Sequence, residues 1–245
     1  MTINDDKEAH AFFSRALSAL NECGADYLLG GAFAVFHYTG LFRDTKDLDV
    51  YCKHTDAPKI LKYFADQGYK TEYTDVRWLA KIFYGDYFID LIFGNVNNVV
   101  RVDDSWFEYS VCSTLFGCDV RIMPVEELFW SKIYVQNRER YDGADMNHIL
   151  LKSGKDLNWE RLFDKLEEHW HLLLSQVIQF QFVYPADYRD IIPKWVFDEL
   201  IKRAQEQYDL PPPVVKVCRG PLIDQTQYAV DVKEWDYKSY TIVTV

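Results

Sequence analysis

The chain has 245 residues, 49% of them hydrophobic and 16% aromatic, which is ample for a packed core in one large domain or two modest ones. Its 38 acidic and 27 basic residues leave a formal charge of -11, a field that repels a phosphate backbone at long range and advertises no general nucleic-acid binding. Five cysteines (Cys23, Cys52, Cys112, Cys118 and Cys218) without a CxxC pair, on a chain with a polar and acidic start, lead to the expectation of reduced thiols in a cytoplasmic protein.

Residues 6–22 place Ala9, Phe12, Phe13, Ala16, Leu17 and Leu20 at helical spacing, with a stop at Asn21 to Gly24. Tyr27-Leu28-Leu29 then reads as a short strand running into Gly30-Gly31, and Ala32 to Tyr38 as a helix. After a polar connection, Asp47 to Cys52 alternates acid and apolar residues as a strand does. Ala57 to Gln67 is predicted as a helix ended by Gly68. Strands are predicted at Lys70 to Tyr73, Leu79 to Tyr84 and Tyr87 to Phe93, with Gly85-Asp86 as a hairpin turn between the last two. Further strands are expected at Ser110 to Leu115 and Asp119 to Met123.

From Pro124 helical periodicity dominates: Val125 to Arg138, Ala144 to Leu151, Trp159 to Glu168, His169 to Phe182 and Lys194 to Gln207. The apolar stretch Trp170 to Val183 is broken by Ser175, Gln176, Gln179 and Gln181 and is shorter than the ~20 residues a membrane span needs. Pro211-Pro212-Pro213 ends the last helix and begins a tail. The expected organisation is an α/β (α+β) unit over 1–123, a helical unit over 124–210 and a tail over 211–245.

The chemistry concentrates in the first half. Successive strand residues face opposite ways, so Asp47 and Asp49 share one face while Leu48 and Val50 enter the core. Two carboxylates in one small volume raise each other's pKa unless a cation joins them. Mg2+ or Mn2+ with phosphate oxygens is the expected cation, and two such ions about 3.5 to 4 Å apart clamp an in-line phosphoryl displacement. Asp90, a single acid in the apolar strand Phe88 to Ile92, is the candidate third ligand, since an unpaired buried charge is expensive. Gly30 and Gly31 let backbone N–H groups approach a triphosphate, beside the positive end of the following helix. Lys46, just before the acids, either meets phosphate or offsets carboxylate charge.

These parts resemble the nucleotidyltransferase superfamily of the polymerase-β type, whose signature is an apolar strand ending in Gly-Gly or Gly-Ser, a spacer, and Asp-x-Asp on the next strand. Here they are Leu28-Leu29-Gly30-Gly31 and Asp47-Leu48-Asp49-Val50, with Asp90 similar to the family's third acid. Glu126 to Lys132 with Arg138, Asp142 and Asp145 resembles the helical motif of the abortive-infection and tRNA-modifying toxin branch. The resemblance spans about residues 25–152. It implies a mixed sheet with flanking helices, a metal-dependent transfer of a nucleoside monophosphate from a nucleoside triphosphate, and an acceptor that is a small molecule, tRNA or protein. It also implies that Lys132 touches nucleotide phosphates and that Asp142 assists the site.

Simpler readings stand beside these. Asp-x-Asp also occurs as solvated charge on strand edges, and Lys132, Arg138, Asp142 and Asp145 could equally form ion pairs within a helical surface. A non-catalytic nucleotide-binding module, or one component of a toxin and antitoxin pair, would carry the same fold. His37, His54, His148, His169 and His171 show no metal-ligand spacing.

Overall fold

A computed structural model describes residues 7–43 and 45–240. The chain divides into two units, Met1–Pro124 and Val125–Val245.

The first unit begins with helix α1 (Lys7–Cys23), whose Phe12, Phe13, Ala16, Leu17 and Leu20 are all buried, as the helical spacing predicts. Each large side chain on that stripe stabilises the fold by ~1.5 to 3 kcal/mol relative to exposure. Then follow β1 (Leu28–Leu29), α2 (Gly31–Thr39), β2 (Asp47–Tyr51), α3 (Ala57–Asp66), β3 (Lys70–Asp75), β4 (Leu79–Tyr84) and β5 (Tyr87–Ile92). The unit continues through α4 (Asp104–Glu108), β6 (Val111–Leu115) and β7 (Cys118–Ile122).

The seven strands form one mixed sheet in the order β3-β4-β5-β2-β1-β7-β6. The β2–β5 and β1–β7 pairs are parallel, and the remaining neighbours are antiparallel. This is the α+β mixed sheet with flanking helices that the sequence leads one to expect. Strand β2 sits between β1 and β5, so its alternation is read out fully: Leu48 and Val50 are completely buried while Asp47 and Asp49 stay half-buried on the other face.

Helix α4 has no counterpart in the sequence reading. Five residues are too few for periodicity to register, yet the segment is held at both levels. Asp103 caps it by accepting from the Ser105 N–H at 2.9 Å, and Trp106 is fully buried.

The second unit contains α5 (Val125–Ile133), α6 (Gly143–Ser153), α7 (Trp159–Leu166), α8 (Trp170–Val183), α9 (Tyr188–Ile191) and α10 (Lys194–Asp209). Three departures from expectation have local causes. The predicted helix to Arg138 ends at Ile133, because Asn137 turns the chain: its Oδ1 accepts from the N–H groups of Glu139 (3.0 Å) and Arg140 (2.7 Å). Helix α9 was not expected; it is a single turn. The segment after Pro211 carries β8 (Val217–Cys218), α11 (Ala229–Lys233) and β9 (Lys238–Ser239), the two strands pairing in parallel. Arg219 reaches Glu168 at 2.5 Å, and Asp224 accepts from the Arg138 N–H at 3.2 Å.

All five cysteines are free thiols. Among the described residues no helix is long and apolar enough to cross a membrane.

Candidate active site

Asp47 and Asp49 lie at i and i+2 on β2, and Asp90 stands directly opposite Asp49 on β5, in the parallel register that pairs Asp47 with Phe88. Side chains opposed across neighbouring strands share a face. One carboxylate oxygen from each of Asp47, Asp49 and Asp90 therefore falls within 4.8 Å of the other two, with all three residues half-buried. The three acids singled out from the sequence are brought together.

Each acid is held by a different device. The Thr45 hydroxyl donates to the Asp47 carboxylate and accepts from the Asp47 N–H at 3.3 Å, a local turn that limits where that side chain points. Asp49 lies against Gly31, the first residue of α2; a Cβ built at Gly31 would fall 1.6 Å from Asp49 Oδ2. Gly31 also has φ +50°, a conformation unfavourable for any other residue. The carboxylate thus occupies the positive end of α2. Asp90 receives the Lys81 ammonium, with Nζ 2.6 Å from Oδ1.

The glycine pair also has a structural part in the sheet. The Gly30 N–H continues the sheet by donating to the Asp49 carbonyl at 2.9 Å. Its missing side chain makes room for the Tyr51 ring and the Met123 sulfur, which a Cβ would meet at 2.2 and 2.8 Å. The two glycines therefore let β1, β2 and the start of α2 close up around Asp49. Lys46 is exposed, and its carbonyl accepts from the Phe88 N–H at 3.3 Å, which anchors its backbone one residue ahead of Asp47.

Lys132 and Asp142 are tied to each other inside the second unit. Lys132 Nζ lies 2.7 Å from Asp142 Oδ2 and 2.8 Å from Asp145 Oδ2, with every one of these side chains less than a tenth exposed. Arg140 adds a contact from Nε to Asp142 Oδ1 at 3.0 Å. Burial pushes the Asp142 carboxyl upward, but Arg140 and Lys132 outweigh it and hold it below the usual carboxylate range. The ion pairing considered from the sequence is present, buried rather than on the surface. Lys81, whose ammonium pairs with Asp90, is a neighbour of the acids that the sequence motifs do not single out.

Residues 10–169 match the family described as "Nucleotidyl transferase of unknown function (DUF2204)". The chain belongs to this nucleotidyltransferase family. No curated protein sequence matches it. Among solved structures, this nucleotidyltransferase is similar to the antibiotic-resistance factor ANT(2'')-Ia, with 13% identity, 83% of this chain and 94% of that one covered, and a TM-score of 0.42. It is also similar to the lincosamide antibiotic adenylyltransferase LnuA (17% identity, 58% and 96% covered, TM-score 0.42). A third likeness is to an antigenic nucleotidyltransferase-like protein from Paracoccidioides brasiliensis (16% identity, 69% and 91% covered, TM-score 0.40).

Proposed function

We propose that this nucleotidyltransferase is metal-dependent and moves a nucleoside monophosphate from a nucleoside triphosphate to an acceptor hydroxyl, releasing pyrophosphate. The observation that carries the reading is the convergence of Asp47, Asp49 and Asp90 within 4.8 Å. Three acids so close repel one another in the absence of a cation, and an all-oxygen donor set suits Mg2+ or Mn2+. The fit is local as well as chemical, since Gly31 leaves the Asp49 carboxylate space that any side chain there would fill.

When bound, the divalent ion supplies neutralisation of charge on the attacking and leaving oxygens. The chain's own residues do the rest. Asp47, turned by Thr45, and Asp49, seated against Gly31, hold the cation site open. Asp90 takes the proton from the acceptor hydroxyl as its oxygen bonds to the α-phosphorus. The bond from that phosphorus to the oxygen bridging to the β-phosphate breaks, and pyrophosphate leaves with that electron pair. Lys46, exposed one residue before Asp47, meets the triphosphate as a point charge. The Lys132–Asp142 pair is buried within the second unit, and this reading does not depend on it. The net charge of -11 favours a small-molecule or protein acceptor over a polyanion such as tRNA.

Purified protein incubated with labelled triphosphates, Mg2+ or Mn2+ and a panel of acceptors tests this. Pyrophosphate release and a labelled product are expected, and Asp47→Ala should abolish both. Turnover unchanged in that variant would sink the assignment. Nucleotide-dependent thermal stabilisation without pyrophosphate release across the panel would move the protein to the class of nucleotide-binding modules.

A further inference from the structure

A row of charged residues crosses one face of the sheet. The register sets Glu72 opposite Lys81, Lys81 opposite Asp90, and Asp90 opposite Asp49. Charge alternates in sign from β3 to β5, and then two acids meet across the β5–β2 boundary. Lys81 stands between two carboxylates and pairs with one of them. Its Nζ is 2.6 Å from Asp90 Oδ1, whereas Glu72 pairs with Lys70 at 3.1 Å. The Phe88 ring forms the other wall of its seat, with the ammonium 4.0 Å from the ring centroid.

Two features separate this pair from an ordinary surface ion pair. Lys81 and Asp90 retain only 23% and 16% side-chain exposure, so solvent and salt screen the attraction less. The direction of the contact matters too: β4 flanks β5 on the side away from β2. Lys81 thus grips Asp90 from one flank while Asp47 and Asp49 lie on the other.

We propose that Lys81 is a positioning residue of the nucleotidyl-transfer site, fixing the rotamer of Asp90 toward Asp47 and Asp49 and offsetting part of the cluster's negative charge. This inference rests on the acid cluster being the site of transfer. It has two consequences of opposite sign. Loss of the ammonium removes one restraint on Asp90 and slows turnover, because small misplacements at a reacting centre are costly. The same loss makes the cluster more negative and strengthens its hold on a divalent cation. A lysine that only supports the sheet would weaken metal binding and stability together. A lysine that grips phosphate would raise KM.

The test uses the full chain with Lys81→Met, which keeps the alkyl stem on Phe88, and Lys81→Arg, which keeps the charge. Free Mn2+ is followed by electron paramagnetic resonance during titration, and kcat and KM are measured with the best triphosphate found. Lys81→Met is expected to lower kcat about tenfold or more, leave KM within about threefold, and tighten Mn2+ binding about threefold or more. Lys81→Arg should restore most of kcat. Unchanged kcat in Lys81→Met, a large rise in its KM, or weaker Mn2+ binding each overturns the proposal. If Lys81→Met shows no cooperative melting transition, Lys81→Gln replaces it with the same expectations and the same overturning results. Wild-type protein that neither binds Mn2+ nor releases pyrophosphate removes the site assignment itself, whereas an active wild type with Lys81 variants indistinguishable from it removes the lysine alone.

Discussion

Gly31 and Asp49 approach so closely that a methyl group cannot stand between them: the position of a Cβ on Gly31 lies 1.6 Å from Asp49 Oδ2 and 2.4 Å from Asp49 Cγ. Gly31→Ala must therefore either push the carboxylate out of the cluster or shift the start of α2. The left-handed backbone at φ +50° adds ~1 to 2 kcal/mol for a residue with a side chain. The expected outcome is a folded protein, somewhat less stable, with turnover reduced roughly 100-fold because the carboxylate proposed to hold the cation has moved. Steady-state kinetics alongside circular dichroism check it. Wild-type kcat in Gly31→Ala would show that the close approach has no part in the chemistry.

The crowding of like charge predicts an effect that activity assays do not see. In the absence of divalent ions Asp47 contributes repulsion within a cluster whose carboxylate oxygens lie within 4.8 Å of one another. Asp47→Asn keeps an oxygen to accept from the Thr45 hydroxyl and removes the charge. Its metal-free Tm is expected to rise by about 2 to 4 °C, the response to roughly 1 kcal/mol in a chain of this size. Added Mn2+ should raise the Tm of the wild type and leave that of the variant nearly unchanged. Equal Mn2+ shifts in both would place the ion elsewhere.

Much of this site can be read before any coordinates are drawn, and the reason is local. A central strand shows strict alternation, so Asp47 and Asp49 declare their shared face and Leu48 and Val50 their burial. Asp90 is legible because its strand is otherwise apolar. Lys81 was within reach by a different route: the Gly85-Asp86 turn opposes Tyr84 to Tyr87, and counting outward puts Lys81 opposite Asp90. What motif reasoning lacked was that register step. The role of the Gly30 N–H was not accessible in the same way, because its acceptor, the Asp49 carbonyl, belongs to a strand reached through a connection of unknown path. Short elements such as α4 escaped because periodicity needs more than one turn to register. The burial of Lys132 depends on Asp142 and Asp145 folding back from α6 and its approach, which a helical motif alone does not specify.

Lys132 offers a test of stability. Its ammonium bridges Asp142 and Asp145 at 2.7 and 2.8 Å, with all three side chains buried. Lys132→Met leaves two buried carboxylates facing each other without their shared cation, a loss expected to cost ~3 to 5 kcal/mol. Removing the three buried charges together, as Lys132→Met with Asp142→Asn and Asp145→Asn, should recover most of that, since replacing a buried ion group is often nearly neutral and Arg140, which also pairs with Asp142, is 68% exposed to solvent. Denaturant unfolding of the two variants measures the difference. A single variant as stable as wild type would show that the triad carries little of the fold's stability.

His169 predicts an acid sensitivity with a definite sign. The ring is buried, its Nδ1 is hydrogen-bonded to the Tyr134 hydroxyl at 2.7 Å, and its Nε2 has no hydrogen-bond partner among the described residues. Burial pushes its pKa below the usual 6.5; Glu168 and Glu167 favour the charged ring, while Arg219 and His171 oppose it. Tyr240 faces the same ring edge-on at 5.9 Å. A histidine held below its unfolded value contributes stability that is complete above that value and is lost as pH falls through the folded one. The contribution should therefore be intact at pH 7.5 and decline below about pH 6.5. His169→Gln, which can still hydrogen-bond Tyr134 but does not titrate, is expected to flatten the fall in unfolding free energy between pH 7 and 5 relative to wild type. Carboxylates elsewhere titrate in both proteins, so the difference between the two curves isolates the histidine. Parallel curves would show that His169 accepts its proton without penalty in the folded chain.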